Sequence, residues 1–310
     1  EKNENYDSRD NCNAIIRTRD NTLIVGTRDT KIPDSVKILG KYSFAYRSFN
    51  YDLFEIPEGV EEIGQLAFCC CSAIGKLKIS STVTKISDDA FSQCQVPDYV
   101  EVAYGNPVYD SRMKSNTLIH TSTNTLMWGS DKATIPYGIE AIGSFAFYDS
   151  DIEVVNVPET VKKIGSSAFQ SCHYIKSVLI PGSVAEIGSS AFAECSNLTS
   201  LVLSEGVTTI GNNAFNDCYY LKSVSFPKTL KRINQYAFDS CDMLDVIYFP
   251  GELDYIGHHA FYDSGRDAVC IPEGVKSLGP EALPYLNTLI LGETVPTLEY
   301  PQSIFSSSSS

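Results

Sequence analysis

The pair Ala-Phe recurs along this chain at an almost fixed interval, and that interval limits the possible folds more than any other feature. It ends at Phe68, Phe91, Phe147, Phe169, Phe192, Phe215, Phe238 and Phe261, with Ser43-Phe44 opening the series and Ala282-Leu283 closing it. The spacings are 24, 23, 56, 22, 23, 23, 23, 23 and 22 residues. The long gap is one period plus an insertion of 33 residues, so the 310-residue chain carries ten repeats. A period in this range belongs to a repeat array, in which each unit buries its apolar face only against its neighbours.

The unit is clearest in Val184-x-x-Ile187-Gly188-x-x-Ala191-Phe192-x-x-Cys195-x-x-Leu198-x-x-Leu201-x-Leu203. Val184, Ile187 and Ala191 stand at i, i+3 and i+7, which predicts one face of a short helical stretch. Leu201 and Leu203 are two apart, which predicts a strand with one buried face. Stacking the units then gives a right-handed, curved solenoid with one parallel β-sheet and short helical or irregular turns on its other side. Prolines at Pro57, Pro158, Pro181, Pro227, Pro250 and Pro272 fall just past the strands, where they remove no ladder hydrogen bond. The recurrent glycine, as at Gly188 and Gly211, marks a tight corner or a close backbone approach.

The insertion is a second, shorter repeat. Residues 109–136 align without gaps on residues 6–33, with 13 of 28 positions identical. Tyr6/Tyr109, Asp7/Asp110, Ser8/Ser111, Arg9/Arg112, Asn21/Asn124 and Gly26/Gly129 are among the shared residues. Each copy shows two short apolar runs about a polar turn, a β-hairpin signature. The expected layout is an N-terminal hairpin cap over 1–33, repeats over 34–103, a hairpin insertion over 104–136, repeats over 137–292 and a C-terminal cap and tail over 293–310. The first hairpin lacks the strand that precedes the second. Either the sequence is cut from a longer protein or the hairpin caps the array. The opening Glu1-Lys2-Asn3-Glu4-Asn5 reads as a trimmed start, with the export signal outside this sequence. Ser306 to Ser310 form a low-complexity end.

A net charge of −14 and a pI near 4.7 argue against nucleic acid and anionic membrane surfaces as partners. No apolar run is long enough for membrane insertion as a helix. Six of ten cysteines (Cys71, Cys94, Cys172, Cys195, Cys218, Cys241) share one repeat position, three after the phenylalanine. They read as a ladder of buried free thiols acting as small hydrophobes, with disulfides between neighbouring coils as the alternative. Ser150 and Ser264 take their place in two repeats, so the chemistry reads as dispensable there. Cys69-Cys70-Cys71 lacks a second ligand pair at zinc spacing. Asp254 and His258 stand at i, i+4 and could share a metal, but a solvated corner is the simpler reading. Asn197-Leu198-Thr199 is a glycosylation sequon built on a core leucine. No nucleophile elbow, phosphate loop, zincin helix or dinucleotide fingerprint is present, and no catalytic residues and no cofactor are expected.

The combination of Ile-Pro, Val-x-x-Ile-Gly, Ala-Phe and the following cysteine resembles the BspA-like bacterial surface proteins, whose leucine-rich repeats are about 23 residues long. The resemblance covers roughly residues 32 to 292. It implies an extracellular or cell-surface location and adherence to host extracellular proteins, such as fibronectin and fibrinogen, or to other cells. The shared motif is structural, so no site residue carries over from it. Three functions remain open: a binding or adhesion module for an extracellular protein, a glycan- or nutrient-capture protein, and an enzyme built on the insertion. The 18 tyrosines against one tryptophan favour the second somewhat. The strand residues beside the buried ones should point outward. They are Lys76/Lys78, Tyr99/Glu101, Val154/Asn156, Ser177/Leu179, Ser200/Val202, Ser223/Ser225, Val246/Tyr248 and Ala268/Cys270. From Val154 onward this strip carries no charge, and Asn156, Leu179, Val202, Ser225 and Tyr248 are its candidate binding residues. The bland reading is that strands simply select uncharged residues. A tyrosine-rich edge at Tyr174, Tyr219 and Tyr220 is the second candidate.

Overall fold

The computed structural model describes residues 3–94, 99–244, 246–249, 253–264, 268–271, 275–283, 288–291 and 297–298. The chain forms two compact units, residues 1–136 with 143–150, and residues 137–142 with 151–310. Both are built of short strands and tight turns. The only helices among the described residues are two single turns of 3-10 helix, Arg9–Asn11 and Arg112–Lys114.

Each coil contributes two strands, one more than the sequence suggested. In the second unit, the two-residue strands Ala141–Ile142, Lys163–Ile164, Glu186–Ile187, Thr209–Ile210, Arg232–Ile233, Tyr255–Ile256 and Ser277–Leu278 pair in parallel and in register, isoleucine upon isoleucine until the last pair, where Ile256 meets Leu278. A second parallel ladder joins Val155–Asn156, Ser177–Ile180, Ser200–Leu203 and Ser223–Ser225. A third joins Val246–Tyr248, Ala268–Ile271 and Thr288–Leu291. The first unit repeats the plan: Ile38–Leu39, Glu62–Ile63 and Lys85–Ile86 form one ladder, and Phe54–Ile56, Lys76–Ile79 and Tyr99–Val102 another. The solenoid stands, with parallel ladders on two sides of the coil instead of one.

The predicted helical stretch is a bend. Val184, Ile187 and Ala191 are buried as their spacing demands. However, the residues two before and two after the phenylalanine lie in the left-handed region: Ser190 and Glu194 about Phe192, Asn213 and Asp217 about Phe215, Tyr236 and Ser240 about Phe238. A non-glycine residue there costs roughly 1 kcal/mol and interrupts a right-handed helix. The inverted residues point alternate amides along the stack. Ser190, Phe192 and Glu194 donate to the carbonyls of Asn212, Ala214 and Asn216 in the next coil, at 2.8, 2.8 and 2.7 Å. The residues between donate within the coil, Ala191 to Gly188 at 3.3 Å and Ala193 to Ser190 at 3.1 Å, as does Cys195 to Phe192 at 3.4 Å. Every other amide therefore links neighbouring coils, which an α-helix would forbid.

This spacing stacks the phenylalanine rings. Phe169, Phe192, Phe215, Phe238 and Phe261 lie face to face at 4.9, 5.4, 5.1 and 5.1 Å, within 10° of parallel. Those distances match the ~4.8 Å strand separation. Each ring is fully buried, worth on the order of 2–3 kcal/mol. In the first unit Phe44, Phe68 and Phe91 stack in the same way at 5.2 Å. The recurrent glycine serves close approach: a Cβ on Gly188 would lie 2.6 Å from the backbone carbon of Gly165.

The two hairpin segments fold alike, each with one strand more than expected. Tyr6–Asp7, Ala14–Arg17 and Thr22–Gly26 form an antiparallel three-stranded set, as do Tyr109–Asp110, Thr117–His120 and Thr125–Gly129. Both carry the 3-10 turn, and their registers shift at equivalent places, between Ile15 and Ile16 and between Leu118 and Ile119. Arg9 holds Asp7 and Asn21, and Arg112 holds Asp110 and Asn124, with equivalent atoms. Gly26 and Gly129 are shared because a Cβ at either would enter the ring of the next coil's phenylalanine, Phe44 or Phe147.

The cysteine ladder is buried and free of disulfides at all six positions. Its thiols are not inert spacers, which corrects the reading from the sequence. Cys71, Cys195, Cys218 and Cys241 donate to the carbonyls of Phe44, Phe169, Phe192 and Phe215 in the preceding coil, at 3.1 to 3.3 Å. Ser264 keeps this donor, reaching the Phe238 carbonyl. At Ser150 the hydroxyl turns to Asp131 instead, at 2.8 Å. Burial pushes the Cys195 thiol up to about 12 and raises Cys218 as well, so these groups stay protonated and unreactive near neutrality. Of the nine cysteines whose side chains are described, eight are buried, Cys70 being the exception. Titration of the ten thiols should therefore find no more than two that react quickly in the native protein, and all ten in denaturant. Cys195→Ser should keep the inter-coil bond and lose under ~1 kcal/mol, whereas Cys195→Ala should lose about 1–3 kcal/mol in chemical denaturation. Equal losses would show that the donor is irrelevant.

Candidate functional site

Alternation along the strands of the second unit decides which side chains face out. Val155, Val178 and Leu201 are buried, and their neighbours Asn156, Leu179 and Val202 are exposed. The parallel register then sets Asn156, Leu179, Val202 and Ser225 directly against one another on successive strands. Four of the five strip residues thus form one continuous file. Val154, Ser177 and Ser223 are exposed beside it, and Ser200 is half-buried. Tyr248 is also exposed, on the strand Val246–Tyr248 of a separate ladder, where it pairs with Cys270. The side chains of Val246, Ala268 and Cys270 fall outside the described residues. The corresponding strip of the first unit is charged, with Lys78 paired to Glu55 at 2.6 Å.

At the start of the file the surface dips into an open depression of about 510 Å³. Val154, Asn156, Ser177 and Leu179 line it from the strip, and Glu153, Lys176 and Tyr174 line its rim. The sequence offered the strip and the tyrosine edge as alternatives, and the fold joins them at this point through Tyr174. Tyr219 and Tyr220 are exposed but lie outside the depression. Tyr220 is two repeat periods beyond Tyr174, and Tyr219 hydrogen-bonds Asp217, which raises its phenol. Glu153 and Lys176 were missed because they stand one residue outside the alternating pairs. Their shared position immediately before each strand pair was the available signal.

The other candidates are held elsewhere. Asp254 pairs with Lys276 at 2.8 Å, while the His258 ring meets the Pro280 carbonyl and His259 meets Glu281. Asp254 and His258 therefore do not converge on a ligand. The Asn197 amide donates to the His173 carbonyl of the preceding coil at 2.7 Å. Among the described residues, no three histidines, cysteines or carboxylates gather as a metal set.

Comparison with known proteins places this geometry in context. Residues 25–125, 129–245 and 162–290 match the BspA type leucine rich repeat region. A leucine-rich repeat protein from Eubacterium ventriosum has a similar crystal structure, with 22% identity over 87% of this chain and 73% of that one, at a TM-score of 0.62. One from Bacteroides ovatus is 23% identical over 93% of this chain and 65% of that one, at a TM-score of 0.51. Both likenesses concern the fold. No curated protein matches the chain.

The chain's excess negative charge collects in part on the phenylalanine turns. Burial raises the Asp239 carboxyl to about 6, and the nearby Asp217 and Asp263 add to the rise against an opposing bond from Ser240. An acid whose folded value lies above its unfolded value holds its proton more tightly in the folded state. Its contribution to stability is present at low pH and lost as pH rises from about 4 through about 6. Asp239→Asn should flatten that part of the stability–pH curve and raise the melting temperature at pH 7.5. An unchanged slope between those values would show that Asp239 is solvated.

Proposed function

The chain belongs to the BspA-type leucine-rich repeat family, and from that premise we propose that it is a non-catalytic binding module on a bacterial surface. Its partner is an extracellular protein, held along the uncharged file of the second unit. A regular solenoid offers an extended surface and no catalytic constellation, which suits recognition. Fold alone does not decide this. The observation that carries the reading is the file itself: Asn156, Leu179, Val202 and Ser225 lie in register, exposed and uncharged, on a protein of net charge −14. Exposed apolar groups grouped in this way mark interaction surfaces more often than isolated ones do. Among the described residues, no helix is long and apolar enough to cross a membrane.

A glycan partner is the second reading, favoured by one feature. The Tyr174 ring and the Asn156 carboxamide line the same depression, offering a stacking face beside a hydrogen-bonding group.

The test is a binding screen of the intact chain against extracellular-matrix proteins and a glycan array. It is followed by the triple variant Leu179→Asp, Val202→Asp and Tyr248→Asp, and separately by Tyr174→Ala. The protein reading expects the triple variant to keep its circular dichroism and lose about tenfold or more in affinity for a matrix protein. A glycan ligand lost through Tyr174→Ala alone would favour the second reading. Undiminished binding by a folded triple variant would remove the file from consideration.

A further inference from the structure

The two hairpin segments are copies in sequence and backbone, so the surroundings of one show what the other is built to meet. The outer face of the second is covered by the leucine-rich coil before it. Trp128 packs on Phe91 at the end of the ring stack, with centroids 5.2 Å apart and the rings tilted by 30°. Its cross-strand partner Leu118 is 1% exposed, and Trp128 itself is 6% exposed. The Tyr109 hydroxyl accepts from the Ile86 amide at 2.9 Å, and the Ser111 hydroxyl accepts from Val102 at 3.0 Å. Where coil passes into hairpin, the Asn106 amide donates to the carbonyls of Ser80 and Val83, at 3.0 and 2.8 Å, while its oxygen caps the amides of Val108 and Tyr109.

The first hairpin holds a counterpart for each of these attachments. Asn3 stands where Asn106 does, its oxygen capping Asn5 and Tyr6 in the same way. Tyr6 and Ser8 stand for Tyr109 and Ser111. Ile15 and Val25 form the same cross-strand pair as Leu118 and Trp128. Ile15 is 48% exposed, Val25 38% and Tyr6 43%, against 4% for Tyr109. Ile15 and Val25 line an open, mainly apolar depression with Ser8, Ala14 and Thr27.

We propose that this face of the first hairpin is a docking surface for a leucine-rich coil of the kind formed by residues 79–94 and 99–102, entering through Asn3 in the same polypeptide. The retained asparagine favours that source over a second copy. Its role in the second hairpin is to tie the connecting segment to the coil, and a coil docking from another molecule would have no connecting segment to tie. The apolar pair supplies the buried area, Tyr6 receives a backbone amide from the coil's two-residue strand, and Ser8 receives one from its longer strand.

The test extends the full chain by repeating residues 6–105 in front of Asn3, in place of Glu1 and Lys2. Val25→Cys is introduced in both lengths, and maleimide labelling is read at that site by mass spectrometry. Labelling should be fast in the original chain and slower by about tenfold or more in the extended one, as for a buried thiol. Tyr6→Phe gives an independent reading: no change in melting temperature in the original chain, and a clear drop in the extended one. Equal labelling and an unmoved melting temperature in both lengths would overturn the proposal. So would concentration-dependent protection of Val25→Cys in the original chain with a dimer in sedimentation, which would assign the face to a second copy.

Discussion

The inter-coil hydrogen bonds about each phenylalanine set the dimensions of the rest. Alternate amides of the bend leave their own coil and reach the next, and this fixes the separation of successive coils near 5 Å. At that separation aromatic rings meet face to face, isoleucines fall upon isoleucines in the narrow ladder, and glycine is needed where backbones nearly touch. The cysteine thiol belongs to the same system, because the carbonyl it reaches already accepts an amide of its own coil. Phe169 takes both the Cys172 amide, at 3.3 Å, and the Cys195 thiol.

Much of this was legible from residue identity and spacing. The ten-fold period, the buried positions and the outward strip follow from interval and alternation alone, and the internal copy follows from aligned identities. What stayed hidden has a common physical origin. The left-handed positions carry Tyr, Ser, Asn, Asp, His and Leu in different coils, so no residue type announces them. The backbone there is set by what the neighbouring coil accepts, and a single repeat does not contain that information. The short isoleucine strands escaped because two residues cannot display a period of two. The spacing of Val184, Ile187 and Ala191 fits a helix face and a tight bend equally well, since both return to the same side after three or four residues.

The candidate site was only half legible for a similar reason. Strand alternation located Asn156, Leu179 and Val202, because it acts within one coil. The depression needed Tyr174 to meet residues of the coil before it, across a repeat boundary that no single-repeat pattern spans. The cysteine–serine interchange shows the opposite error. A substitution that looked like loss of function in the sequence preserved it, since Ser264 makes the bond the thiol makes elsewhere.

The direction of those linking bonds also bears on how such a molecule would carry tension. They run along the stack, so the contacts between neighbouring coils are loaded in series when the ends of a unit are pulled apart, while the bonds within one contact share the load. The weakest contact then yields first and the others hold. Each coil that peels away releases about 23 residues, on the order of 70 Å of extended chain. A stack of this construction would lengthen in steps when pulled and keep its remaining coils folded, because each coil is held only by its neighbours.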